Sequence, residues 1–168
     1  MRSLPLLACA LLAGCVATAP ITQPPVSMSF QNASRAAQAT GLEPVTVRAR
    51  LSANDEIAEL ASVPCQLNGP GYSARFVTPA VLELPIFGNT APQVSLSCTY
   101  GGETRTRSLR ATNVSELERR KAREKALDEL RDEGRSGASI FLTIGLGQRG
   151  PRGFDEFDYP DTAFLFRR

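Results

Sequence analysis

Val94-Ser95-Leu96-Ser97-Cys98-Thr99-Tyr100-Gly101-Gly102 is the stretch that decides the fold. Val94, Leu96, Cys98 and Tyr100 alternate with small polar residues, the period-two pattern of a half-buried strand. Gly101-Gly102 then leads into Glu103–Leu109, a second strand of the same kind. The pattern continues upstream. Val81–Pro85 reads as a strand, Pro79 interrupts, and Ser73–Val77 reads as another. Asn68-Gly69-Pro70-Gly71 is a turn signal after Cys65-Gln66-Leu67. Farther back, Val45, Val47, Ala49 and Leu51 alternate with Thr46, Arg48 and Arg50 until Asn54-Asp55-Glu56 breaks the run. Short strands with turn signals about every ten residues predict a mainly β protein, a small antiparallel sandwich.

At the other end, Met1-Arg2 opens an apolar run, Leu4–Leu12, too short for the roughly 20 residues that span a bilayer. It closes on Leu12-Ala13-Gly14-Cys15, which resembles the lipobox of bacterial lipoproteins. The resemblance implies that residues 1–14 are a signal peptide recognised through Leu12, Ala13 and Gly14. Cys15 then becomes the first mature residue, acylated on its sulfur and its amine. Three acyl chains would hold the protein at a membrane essentially permanently, since each buried CH₂ is worth about 0.8 kcal/mol. Val16 stands where inner-membrane lipoproteins carry Asp, so the implied address is the outer membrane, periplasmic face.

Of the four cysteines, Cys9 leaves with the signal and Cys15 takes lipid. Cys65 and Cys98 remain in an oxidising compartment, where a disulfide is expected. Closing the loop between them is worth about 3–4 kcal/mol in the chain-entropy model, and in a sandwich the bond would link the two sheets.

Composition excludes several chemistries. The chain has no histidine and no tryptophan, which removes imidazole catalysis, His-containing triads and His-ligated zinc. Lys121 and Lys125 both sit in a charged run, a poor setting for a buried catalytic amine. With Arg2 removed, a formal charge of +2 falls by one, too near neutral for a nucleic-acid partner. No catalytic residue, metal site or cofactor is assigned. Asp155, Glu156, Asp158 and Asp161 lack the spacing of a calcium loop, and Phe154, Phe157 and Tyr159 between them are expected to pin the tail to the body. Asn32-Ala33-Ser34 and Asn113-Val114-Ser115 match a glycosylation sequon, but a lipobox implies bacteria, so neither is assigned.

Residues 15–43, with Pro20, Pro24, Pro25 and Gly41, read as a flexible tether with a reach of roughly 30 Å. Within it, Ser27–Phe30 suits a short edge strand and Ala33–Ala39 a turn of helix. Residues 44–168 form the domain. Its helix, 114–133, is charged on all sides: Ser115 and Glu118 form a capping box, Gly134 sits at the C-cap, and Glu116–Arg120 and Lys125–Glu129 are i,i+4 pairs. The helix is either a solvated element with a thin contact to its own body or a partner-binding one. A C-terminal strand region, 138–168, completes the domain. Ile140–Leu146 is the most apolar stretch of the mature chain, a core strand or a contact with a membrane or partner.

Pro64-Cys65, Leu67, Gly71-Tyr72, Thr78-Pro79-Ala80-Val81 and Val94, Leu96, Cys98 together resemble the small immunoglobulin-like module of bacterial envelope lipoproteins, the PEGA domain. The resemblance covers roughly residues 60–110. It implies an immunoglobulin-like or PEGA-like sandwich with a structural or binding role and carries no catalytic residue. The expected function is a lipid-anchored adaptor whose protein partner meets helix 114–133 or segment 140–146. Two other readings stand beside it: a small-ligand or glycan module using Tyr72, Phe76, Phe87 and Tyr100, and a hydrolase using the tail carboxylates.

Overall fold

The computed structural model describes residues 18–54, 56–132 and 155–167. Its elements run β1 (Ser29–Phe30), α1 (Ala33–Ala37), β2 (Gly41–Ala53), β3 (Glu56–Leu60), β4 (Pro64–Gly69), β5 (Tyr72–Val77) and β6 (Ala80–Ile86). They continue with β7 (Val94–Tyr100), β8 (Glu103–Leu109), β9 (Thr112–Asn113), α2 (Val114–Asp132), β10 (Phe157–Asp158) and β11 (Thr162–Arg167). The protein is mainly β, in largely antiparallel sheets. One sheet has the order β1-β5-β4-β7-β8. The other is built around β2, which pairs β6 along Gly41–Val47 and β3 along Ala49–Ala53.

Alternation does the work expected of it. Val45, Val47 and Ala49 of β2, Leu67 of β4, Leu82 and Leu84 of β6, and Leu96 of β7 are fully buried in one core. Each large side chain removed from water contributes about 1.5–3 kcal/mol. The β7–β8 hairpin turns through Gly101 and Gly102, at φ +58° and +82°. Two consecutive left-handed residues give the turn a twist that matches the strands, and glycine adopts them without strain. At the β4–β5 end the Tyr72 ring lies across Gly69, its register partner. A Cβ on Gly69 would come within 2.4 Å of that ring. The Tyr72 ring also meets Phe30 and Phe87, with centroids 5.9 and 6.1 Å away. Burial pushes its hydroxyl pKa up to about 12.

Four expectations need correction. First, the pairing is not all antiparallel: β11 runs parallel alongside β2, with Phe164 opposite Ala49 and Phe166 opposite Leu51. The alternation of Thr162, Phe164 and Phe166 decides which side chains are buried, but it is the same read in either direction.

Second, the disulfide does not link the sheets. Cys65 and Cys98 are register partners on the adjacent strands β4 and β7, and the bond joins them within one sheet. Period two assigns both residues to the inner face without choosing the neighbour. Third, the expected tether is docked along much of its length. Val26 N–H donates to Val81 O, Glu83 N–H donates to Val26 O, β1 pairs β5, and β2 begins at Gly41. Pro24 and Pro25 bring no donors, yet the edge of β6 pairs with Val26, the residue that follows them.

Fourth, Ser115 does not cap α2. Asn113 does: its Oδ1 accepts from Glu116 N–H at 2.8 Å, and Ser115 Oγ instead accepts from Glu156 N–H at 2.9 Å. Asparagine is a strong N-cap because its carbonyl reaches one of the orphan donors of the first turn. Asn32 does the same for α1, accepting from Arg35 N–H. Both sequon asparagines are thus helix caps.

Candidate functional site

Two places on the body bring charged residues from distant parts of the chain together. The first is the junction between α2 and the tail. β9 and β10 pair antiparallel, with Asn113 opposite Phe157 and Thr112 opposite Asp158. Val114 N–H donates to Glu156 O, so the tail backbone meets the start of the helix. Arg119, one turn into α2, holds Asp155 through both terminal nitrogens, at 2.9 and 3.2 Å. Asn113 Nδ2 donates to the same carboxylate at 2.8 Å, and Asp155 N–H donates to Asn89. These donors hold the Asp155 carboxyl below its ordinary range, Arg119 most of all and then Asn113. Glu116 is lowered likewise by Arg120 and Arg119. Glu43 moves the other way, since burial raises it first and the charges of Asp158 and Glu156 raise it further.

The second place is the N-terminal segment. Ala19 N–H donates to Glu59 Oε2, and Arg48 donates both to Ala19 O and to Glu59 Oε1. Farther along, Gln23 Nε2 donates to Val77 O and Pro79 O, both at 2.7 Å. The chain is therefore stitched to β2 and β3 at Ala19, and to the β5–β6 turn at Gln23.

Two of the four tail carboxylates are committed to structure. Asp155 is bound as described, and Asp161 Oδ1 accepts from Thr46 N–H where β11 meets β2. Phe157 and Tyr159 enter the core, and Tyr159 donates its hydroxyl to Pro92 O. Glu156 and Asp158 are exposed. A hydrolase needs two carboxyls facing one another across a cleft, and none of these four lines the surface depressions at Arg105, Gln66 or Ser29. Among the described residues no group of three His, Cys, Asp or Glu could hold a metal ion.

The aromatic platform needed for a glycan is not formed either. Tyr72 and Phe76 are buried in the core. Tyr100 packs on Phe166 with centroids 5.6 Å apart, and Arg35 covers Phe87 with its guanidinium carbon 3.7 Å from the ring centroid. Surface depressions of about 210 and 310 Å³ lie at Arg105, Arg107 and Phe164, and at Gln66, Arg75 and Ser97, neither holding a carboxylate.

No family model, no curated protein and no solved structure matches this chain.

Leu12, Ala13, Gly14 and Cys15 lie outside the described residues, as do Gly134, segment 140–146 and Phe154. Cys65 and Cys98 are bonded. Lys121 and Lys125 are exposed on α2, where Lys125 faces Glu129 at 3.9 Å. Sequence reasoning missed Asn113 although its signal was present: an asparagine three residues before Glu116 and just ahead of the charged run. It also missed the Arg48–Glu59 clamp, for which no local signal exists because the partners belong to different strands.

Proposed function

We propose that this chain is a lipid-anchored protein of the bacterial envelope with a non-catalytic, structural or adaptor role. In this reading Cys15 is acylated and the protein stands at the periplasmic face of the outer membrane. Its immunoglobulin-like, PEGA-like sandwich presents helix α2, with segment 140–146 nearby in sequence, to a second envelope protein. One observation carries the reading. Arg119 and Asp155 fasten the start of the helix to the body, whereas beyond Arg120 the ion pairs among the described residues run along the helix. Arg131 meets Asp128 at 3.4 Å and Lys125 meets Glu129, all four mostly exposed. Exposed pairs of this kind contribute little to stability, so a long charged surface costs nothing to present and remains available to a partner.

A photo-crosslinking residue at Arg123, compared with one at Arg75 on the opposite sheet, tests the proposal in intact cells. The expected result is a discrete crosslinked protein from position 123, with the product in the membrane fraction. Cys15→Ser should move it to the soluble fraction. No crosslinked species at 123, or a Cys15→Ser product still in the membrane pellet, would overturn it.

A further inference from the structure

We infer that the outer face of the β3-β2-β11 sheet is a membrane-facing surface, seated on anionic lipid headgroups. The inference rests on the anchoring reading above and adds an orientation to it. Alternation places Arg48, Arg50 and Ser52 of β2 on the outer face, because Val47 and Ala49 point into the core. Register then arranges the neighbours in rows. Leu165, Arg50 and Glu59 form one row, and Arg167, Ser52 and Ile57 the next. Arg50 and Arg167 are exposed, and Ile57 is 46% exposed. Glu59, opposite Arg50, forms its ion pair with Arg48 instead and accepts from Ala19 N–H with its other oxygen, so the three charged groups leave a net positive charge. Among the described residues, neither Arg50 nor Arg167 has an ion-pair partner. Glu56, opposite Ala53 at the hairpin end, has the other parity.

The attachment point makes this face the one that meets the bilayer. The N-terminal segment is fastened to Arg48 and Glu59 at Ala19, on this same sheet. Only four residue steps separate Ala19 from Cys15, a reach of at most about 14 Å when fully extended. An acylated Cys15 therefore cannot let the body rise to the roughly 30 Å expected of a free tether. Within that reach the guanidinium groups can come inside one Debye length of the headgroups, about 8–10 Å, where an anionic surface attracts them. Ile57 and Leu165 beside the two arginines supply apolar contact for the interfacial region.

The test uses the full lipidated chain in vesicles of phosphatidylethanolamine, with and without one-third phosphatidylglycerol. Flotation is followed by phenylglyoxal labelling, read at each arginine by mass spectrometry. Labelling of Arg50 and Arg167 should be about three-fold or more slower on the anionic vesicles. Arg75, on the outer face of the other sheet, and Arg123, on α2, should label at unchanged rates. Half-molar salt should abolish the difference. Equal rates at Arg50 and Arg167 on both vesicles, or equal slowing at all four arginines, overturns the inference and leaves the anchor intact. A chain that fails to float refutes the anchor, and the orientation falls with it.

Discussion

Strands β4 and β7 meet through Leu67, Leu96 and a disulfide, with no ionisable group between them. Helix α2 meets the tail through Arg119, Asn113, Asp155 and Glu156, groups that water still reaches. The contrast separates two kinds of stability in one small protein. The strand region is held by burial and a covalent constraint, which neither pH nor salt alters near neutrality. The helix region is held by charge-assisted hydrogen bonds at an exposed junction, strong in geometry but screened by solvent. Such regions open locally at lower free energy than the core.

The largest effect should come from the core. Phe166, 1% exposed, packs against Tyr100 and inserts β11 beside β2. Phe166→Ala should cost about 3–5 kcal/mol in urea unfolding monitored by circular dichroism. A loss below 1 kcal/mol would mean that β11 is not part of the cooperative unit. Next, the double substitution Cys65→Ala/Cys98→Ala should cost about 3–4 kcal/mol, mainly by freeing the unfolded chain. The hydrogen-exchange pattern of β4 and β7 in the native protein should stay largely as it was.

A smaller effect separates the two regions. Asn113→Ala removes the N-cap of α2 and one donor to Asp155, at a cost of about 1 kcal/mol. Faster amide exchange should be confined to the first turn of α2 and to residues 155–158. Equal loosening of β4 would show that helix and sheets are a single unit.

The smallest effect is the response to acid. The Asp155 and Glu116 pKa values are lowered in the folded protein from 3.8 and 4.5. Their contribution is therefore complete above pH 4.5 and lost as the pH falls through the lower folded values. Glu43 has the opposite sign. Its pKa is raised above 4.5, so folding is favoured below 4.5 and that advantage fades as the pH rises through the folded value. On acidification the helix signal should fall while exchange protection of β2 holds. Arg119→Ala should flatten the helix response, and an unchanged response would dismiss the Arg119–Asp155 pair as its cause.

Much of this architecture is legible in the amino-acid sequence. The inward residues of β2 and β7 are those that alternation assigns, because a pleated strand sends successive side chains to opposite faces whatever it pairs with. The Gly101-Gly102 turn and the i,i+4 pairs Glu116–Arg120 and Lys125–Glu129 were legible for the same reason: each depends only on residues close in sequence. The docking of residues 19–26 was not, since it depends on acceptors and donors from β3, β5 and β6.

By itself, then, the amino-acid order determined which side chains turn inward, where hairpins close, and which two thiols share a face. Tertiary structure alone decided that β11 joins β2 in parallel, that Cys65 lies beside Cys98 in one sheet, and that Asn113 and Asp155 meet at Arg119. Local periodicity constrains direction only to one side of a strand or helix. Neighbours are chosen by the competition of many distant surfaces for one core, and no stretch of the chain carries that information alone.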